Sequence, residues 1–541
     1  MPNLLTAAQM RGIEQAAIDS GSVTGLDLME RAGNGVVEAI FEEWPELAVS
    51  PRKALVLCGP GNNGSDGYVI ARLLKNRGWT VFVFQMGAVQ DTAPDALVNR
   101  DRWSQLGCIR DLEHLPVDTY AQDNPGTVLV IDAIFGTGLT RPFDTHGDVQ
   151  DILNYWRSAW TEEGVPRVVS VDLPSGLCAD SGRFLSARSD ENPLDHRLLA
   201  NLTVTFHDLK LGHMLGVGPT ACGKVRVKSI GLDRPHTAPT RQAPSRVTCG
   251  LHENTVARLI GKSPSGQKYS HGHALILGGG PGQGGAARLA ARGALRIGAG
   301  LVTIACPASA LQENAARLDA IMLKSMRDLP ESDALAGILG DARINAVCLG
   351  PGLGLDRAQA LVSTVLDPGA TAPRATVLDA DALSAFADDP SALFDKLHDG
   401  CILTPHGGEF ARLFPDLAER LHGAPVSGPA YSKVDATKDA AARAGCVVLF
   451  KGSDTVIAGP DGQAIVSAAQ YARAAPWLAT AGSGDVLAGF VTGLLARGIR
   501  PIEAADIAAR LHVDCARAFG AGLVAEDIPE MLPKVFARLG I

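Results

Sequence analysis

Ala54-Leu-Val-Leu-Cys58-Gly-Pro-Gly61-Asn-Asn-Gly64-Ser-Asp66 joins an apolar run, a glycine-rich turn and the start of a helix expected over Asp66 to Arg77. The run shows no alternation of apolar and polar residues, which suits a strand covered on both faces and therefore a parallel sheet. Working outward, the same kind of run recurs at Val81–Phe84, Val128–Ile131 and Arg167–Val171, with helix-length stretches between. Strands that alternate with crossover helices define a doubly wound α/β fold. Upstream, the apolar spacing of Leu5 to Ile18 predicts an opening helix.

The alternation breaks near Asp233, where Asp233–Ser245 is polar, proline-rich and aperiodic, as a linker would be. It resumes with strand candidates His273–Leu277, Leu301–Ala305, Ala346–Leu349, Thr376–Leu378, Cys401–Leu403, Cys446–Phe450 and Thr455–Ala458. A chain of 541 residues exceeds one ordinary core. Two α/β domains are expected, 1–232 and 246–541, joined by the linker 233–245. A net charge of −9 with acids and bases interspersed offers no basic stripe for nucleic acid and no polybasic segment for a membrane, so a small-molecule substrate is expected. No apolar run approaches a membrane span, and no signal-like series opens the chain, which makes the cytosol the expected compartment. The ten cysteines are scattered singly, without CxxC, and HExxH is absent, so buried thiols are expected rather than zinc sites or disulfides.

Gly59-Pro-Gly61-Asn-Asn-Gly64 and Gly280-Pro-Gly282-Gln-Gly-Gly285 both satisfy GxGxxG after a strand. A dinucleotide-binding Rossmann unit also needs an acid at the end of the next strand to hold the ribose. The next strands end at Gln85-Met-Gly87 and Ala305-Cys-Pro307, which disfavours a hydride-transferring dehydrogenase. A helix start behind glycines still suits a phosphate, and a tight turn without ligand is the bland alternative. Asp132 and Asp172, at strand ends, read either as helix-capping acids or as site carboxylates.

Further motifs accompany the first loop. Pro60-Gly-Asn-Asn-Gly-Ser-Asp-Gly-Tyr68, Asp132-Ala-Ile-Phe-Gly-Thr-Gly-Leu139 and Val171-Asp-Leu-Pro-Ser-Gly176 resemble, in order and spacing, the NAD(P)H-hydrate epimerase domain. Leu26-Asp-Leu-Met-Glu-Arg-Ala-Gly33 and Lys210-Leu-Gly-His213 extend the resemblance over nearly all of residues 1–230. Ser65 stands where that family carries a glycine. The resemblance implies a potassium site at Asn63, Asp132 and Ser175. It implies substrate contacts at Asn62, Asn63, Gly64, Ser65 and Asp66, at Gly136, Thr137, Gly138, Leu139, Thr140, Arg141 and Pro142, and at Asp172. Asp132 is the expected acid–base group, since epimerising a hydroxyl-bearing ring carbon requires proton transfer.

In the second half, Ala479-Thr-Ala-Gly-Ser-Gly-Asp-Val-Leu-Ala-Gly489 carries the sharpest signal. A Gly-Ser-Gly-Asp turn opening an apolar helix aims N–H groups at one point and sets a carboxylate beside it, an anion hole with a base for phosphoryl transfer. The turn resembles those of ribokinase-like enzymes. Arg296-Ile-Gly-Ala-Gly-Leu-Val302, Gly350-Pro-Gly-Leu-Gly354, Leu378-Asp-Ala-Asp-Ala-Leu383, Leu403-Thr-Pro-His-Gly-Gly-Glu-Phe410 and Leu449-Phe-Lys-Gly-Ser-Asp-Thr455 narrow the resemblance to ADP-dependent NAD(P)H-hydrate dehydratase, over residues 250–541. Tyr269 replaces the glycine usual after the lysine at Lys268. The resemblance implies Asp485 as the base, and Ala286, Gly352, His406 and Asp485 against the hydrated dinucleotide. It places Lys451, Gly452, Ser453, Asp454, Thr455 and Gly484 on ADP, with Mg²⁺ as cofactor. Asp379 and Asp381 end a strand at the same sheet edge, with a structural role and one toward substrate or magnesium both open.

The implied partners are hydrated NADH or NADPH and ADP, with a homo-oligomer expected. The rival readings are a ribokinase-like kinase of a vitamin precursor, and a first half that only binds ligand.

Overall fold

The computed structural model describes residues 3–87, 94–112, 126–143, 166–186, 192, 194, 197–232, 247–327, 330–367, 369 and 372–541. The linker expected at 233–245 lies outside them. The chain divides into two compact units. One comprises Pro2–Thr240 together with Gly423–Ser432, and the other comprises Arg241–His422 with Lys433–Ile541.

The first unit carries β1 (Asn3–Leu5), β2 (Lys53–Cys58), β3 (Thr80–Gln85), β4 (Ile109–Asp111), β5 (Thr127–Ala133), β6 (Arg167–Val171), β7 (Leu202–Phe206), β8 (Leu209–Lys210) and β9 (Lys224–Lys228). Its sheet runs β4-β3-β2-β5-β6-β7-β9 and each neighbouring pair is parallel. Strands β2 and β5 are buried along almost their whole length, as unalternating apolar runs require. Edge strand β9, Lys-Val-Arg-Val-Lys, is instead exposed and basic, a composition that blunts an open edge. The opening helix spans Ala7–Asp19, later than the expected Leu5 start, because Leu4 and Leu5 pair with Leu209 and Lys210 as strand β1. Thr6 caps it through a reciprocal bond with Gln9.

The second unit carries β10 (Val247–Thr248), β11 (His273–Leu277), β12 (Leu301–Pro307), β13 (Met322–Met326), β14 (Ile344–Leu349), β15 (Ala375–Leu378), β16 (Cys401–Leu403), β17 (Val447–Phe450), β18 (Asp454–Ala458) and β19 (Ala464–Ala468). Their order is β13-β12-β11-β14-β15-β16-β17-β18-β19-β10. The sheet is parallel from β13 to β17, after which β17, β18 and β19 pair antiparallel. The turns Lys451–Ser453 and Gly459–Gln463 are too short for a crossover, so the chain must double back. Helix Ser483–Ala496 is apolar all round and almost wholly buried, as a helix inside a core must be. No helix among the described residues is long and apolar enough to cross a membrane.

Candidate active sites

In the first unit the chain leaves β2 toward β3 and β4, then returns to β5 and moves the other way through β6, β7 and β9. The crevice beyond the C-terminal ends of β2 and β5 is the topological switch point, where open α/β sheets bind ligands. Gly59 ends β2 there and faces Ile134 past the end of β5. A Cβ at Gly59 would sit 1.9 Å from the Ile134 carbonyl oxygen, so only glycine allows the two loops to touch. The helix behind the loop begins at Asn62, one turn earlier than the Asp66 expected. Gly61 caps it without a side-chain bond, which leaves first-turn N–H groups free of a side-chain acceptor.

Asp132 at the end of β5 is fully buried. Its carboxylate accepts from Ser175 Oγ (2.5 Å), Ser175 N–H (2.8 Å), Ser170 Oγ (3.2 Å) and Ile134 N–H (3.4 Å). Burial raises its pKa and these donors oppose the rise. Ser175 Oγ also accepts from Phe135 N–H at 2.9 Å. Asn63 lies close by, with its Nδ2 buried and without a hydrogen-bond partner. A Cβ on Gly136 would fall 2.9 Å from Asn63 Oδ1 and 3.4 Å from Asp172 Cβ. The predicted residues Asn63, Asp132, Gly136, Asp172 and Ser175 are thus brought together. Carboxylate, hydroxyl and amide oxygens are the ligand types a hard cation takes, whereas the unpartnered Asn63 Nδ2 is a donor and calls for an acceptor.

Asp172 has φ +65°, a left-handed conformation that non-glycine residues rarely adopt. Lys210 Nζ holds its carboxylate at 2.9 Å, Thr205 Oγ1 donates to it at 2.7 Å, and His213 Nε2 lies 2.8 Å from its carbonyl. Burial alone would raise Asp172, but Lys210, His213 and Thr205 together outweigh it and keep the group below the ordinary value. His213 accepts the Lys210 N–H on Nδ1, so Nε2 carries the proton. Burial and Lys210 push this imidazole down to about 4.

Sequence reasoning gave Lys210 and His213 no role, although the motif containing them was noticed. It missed Glu14 altogether. Glu14 sits on the opening helix, whose Arg11 donates to the Thr137 carbonyl at 3.0 Å. Burial, then Asp172, raise Glu14 to about 7. Asp66 is pushed well up by burial, then by Asp172 and Glu14. Ser65 does not face the loop: its hydroxyl donates to Met29 Sδ (3.1 Å) and accepts from Asn99 Nδ2 (2.9 Å), inside the packing of neighbouring helices.

The second unit repeats the logic at β11 and β14, from which the chain also proceeds in opposite directions. Gly352 and Ala286 face each other there, a Cβ on Gly352 lying 3.8 Å from that of Ala286. Tyr269 precedes β11, at the opposite end of the strands, with Lys268 Nζ 5.2 Å and Arg343 5.4 Å from its ring centre.

The Gly-Ser-Gly-Asp turn opens helix Ser483–Ala496 with Gly482 at φ +86° and no side-chain cap. His512, buried and pushed down to about 4 by desolvation, braces the turn from behind through Ser483 O at 2.9 Å. A cavity of about 510 Å³ opens beside it, with Lys451, Gly452, Ser453, Thr455, Gly484 and Leu487 among its lining. Asp454 points away, with its carboxylate 2.7 Å from Lys433 Nζ. Among the described residues no hydrogen-bond donor reaches the Asp485 carboxylate. Burial, then Asp379, raise it to about 6, with Lys451 pulling the other way.

Lys451 Nζ sits 2.6 Å from Asp379 Oδ1 and 3.8 Å from Glu409 Oε2. Thr404 Oγ1 donates to Asp379 at 2.9 Å, so Asp379 anchors the lysine. Asp381 accepts from Gly354 N–H at 2.8 Å. His406 caps helix Gly407–Leu413, accepting Gly408 N–H on Nδ1 at 2.9 Å, while its Nε2 turns toward the Glu409 carboxylate. It joins the lysine cluster through Glu409, 3.4 Å away.

Two family models match the chain: YjeF-related protein N-terminus over residues 25–212, and NAD(P)H-hydrate dehydratase over residues 274–534. A bifunctional NAD(P)H-hydrate repair enzyme of Moorella thermoacetica is 35% identical over 99% of this chain and 97% of its own length. The chain belongs to the bifunctional NAD(P)H-hydrate repair family. Within that family's reach, an NAD(P)H-hydrate epimerase of Rhodobacter capsulatus is 44% identical across its whole length and 43% of this chain. A Bacillus subtilis ADP/ATP-dependent NAD(P)H-hydrate dehydratase, co-crystallised with ATP and Mg²⁺, is 27% identical with a TM-score of 0.43, covering 54% of this chain and 99% of its own. The YjeF-related N-terminal model covers the first half and the dehydratase model the second, the order expected here.

Proposed function

We propose that the first half interconverts the R and S forms of hydrated NADH or NADPH, and that the second half dehydrates the S form at the expense of ADP. The observation that carries this is the Gly482–Asp485 turn beside the cavity lined by Lys451–Ser453 and Thr455, in a chain similar end to end to bifunctional repair enzymes. Asp485 takes the proton of the C6 hydroxyl, whose oxygen attacks the β-phosphorus of ADP as AMP departs. Phosphate then leaves C6, and loss of the C5 proton restores the ring double bond. A base near 6 with no hydrogen bond to satisfy it is suited to the first step. Lys451, held by Asp379, faces the phosphates beside the N–H groups of Ser483 and Gly484. Gly452, Ser453 and Thr455 form the rest of the nucleotide loop, which Asp454 braces from outside through Lys433. Mg²⁺ enters with the nucleotide and needs only one or two carboxylates in addition to phosphate oxygens. Ala286, Gly352 and His406 line the hydrated dinucleotide.

In the first half, Asp132 is the proton-transfer group and, with Asn63 and Ser175, the holder of K⁺, which supplies fixed positive charge beside the substrate. Residues 62–64 and 66, residues 136–142 and Asp172 form the substrate walls. The activity boundaries are 1–232 and 246–541, and the enzyme works in the cytosol as a homo-oligomer. A kinase would leave a stable phosphorylated product. Incubation with hydrated NADH and ADP, following absorbance and phosphate release, is expected to give NADH, AMP and phosphate. Intact ADP would sink the dehydratase reading, and running ATP in parallel settles the nucleotide.

A further inference from the structure

Residues Gly423–Ser432 lie in sequence between helices Pro415–His422 and Lys433–Ala444, yet pack within the first unit. Arg183 donates to the Gly423 carbonyl (2.7 Å), Ser186 N–H to the Pro425 carbonyl (3.2 Å), Gly428 N–H to the Thr140 carbonyl (2.9 Å) and Ala430 N–H to Cys178 Sγ (3.4 Å). Ala430 is buried in an apolar cluster with Leu139, Phe143, Cys178 and Leu185. At Gly428 the approach is close enough that a Cβ would lie 2.7 Å from the Leu139 carbonyl and 3.0 Å from Leu185 Cδ1.

The place where this strap lands is specific. Leu139–Pro142 continues directly from Gly136-Thr-Gly138, and Leu139 N–H closes the turn on the Gly136 carbonyl at 3.3 Å. Arg11 grips the near end of this loop at Thr137, and the strap grips its far end at Thr140. A loop containing two glycines has many conformers to lose when it closes on a ligand. Anchoring both ends removes that cost before binding.

We infer that residues 423–432 are a positioning element for the first half's substrate loop, so that its affinity for hydrated dinucleotide depends on a segment from far along the chain. The inference rests on the epimerase reading of that half. The Rhodobacter capsulatus epimerase matches over its whole length within 43% of this chain, a span too short to hold both the loop at 136–142 and residues 423–432. The chemistry therefore does not require the strap, and its loss acts on KM rather than kcat.

The test uses full-length protein without ADP, following conversion of the R hydrate to the S form after separating the two. Gly428→Val and Ala430→Asp are expected to raise KM about tenfold with kcat within about twofold. Ala430→Ser should restore the parent KM. Dehydration of S hydrate with ADP should be unaltered, a contrast that general unfolding would not produce. If either variant fails to fold, exchanging 424–429 for a Gly-Ser segment of equal length replaces it, with the same expectation. A parent enzyme that interconverts the two forms, with strap variants of unchanged KM, overturns the strap proposal alone. A parent that does not interconvert them overturns the epimerase reading and this inference with it.

Discussion

Asp132 and Asp485 are both carboxylates that burial makes harder to ionise, yet they are held in opposite ways. Asp132 accepts from four donors, one just past its own strand, one on β6 and two in the loop after β6. Asp485 receives none, and its charge is governed by Asp379, Lys451 and Asp381 at a distance. A carboxylate tied on every side is part of the architecture as well as the chemistry. One that is desolvated and untied is free to accept a proton. The comparison teaches that the same substitution should cost the two halves differently.

The largest effect is expected from Asp485→Asn, which keeps shape and removes the base. Dehydratase kcat should fall about 10²–10⁴-fold, with ADP binding by calorimetry and the melting temperature both retained. A matching loss of stability would break the contrast. Asp132→Ala should slow consumption of the R hydrate and leave S-hydrate repair intact. It should also lower the melting temperature, since each buried donor left unpaired costs roughly 1–3 kcal/mol. Equal rates on both hydrates would remove Asp132 from the chemistry, and an unchanged melting temperature would remove it from the architecture.

A third difference lies in pH. The proposed mechanism needs Asp485 as a carboxylate, so dehydratase turnover should fall as pH drops through about 6. Lys451 pulls that pKa down, so Lys451→Met should move the midpoint to higher pH besides weakening ADP binding. A midpoint that stays in place would mean that another group titrates. The smallest effect is expected at Ser65→Ala, about 1 kcal/mol of stability from the lost Asn99 bond, with epimerase KM unaltered. A changed KM would put that side chain back at the loop.

Much of both sites was legible because each is built where a strand ends in glycine. The runs Ala54–Cys58 and His273–Leu277 announce parallel strands, and the turns after them announce the switch points. Gly482-Ser-Gly-Asp485 announces its own chemistry, since residue type and helix start carry the meaning together. The rest depends on tertiary neighbours that no local spacing encodes. Glu14 sits on an amphipathic helix like any other, and only its burial near Asp172 sets it apart. Edge strand β9 is exposed and carries no apolar run to mark it in the sequence. Ser65 read as a loop residue because the helix was placed one turn too late, whereas the observed start at Asn62 turns its side chain inward. Asp379 reads from sequence only as an acid at a strand end, and its lysine partner 2.6 Å away is a neighbour that no local spacing encodes.

The strap also sets a timetable for synthesis. Domains that emerge first from the ribosome generally fold first, at roughly 5–20 residues per second of elongation. Here the first unit ends at Thr240 but its last segment begins at Gly423, so translation of the intervening stretch takes roughly 10–40 s at that pace. Throughout that interval the nascent first half presents Leu139 and Leu185 without the segment that packs on them. The newborn chain therefore leaves the loop after Gly138 uncovered until residue 432 has emerged.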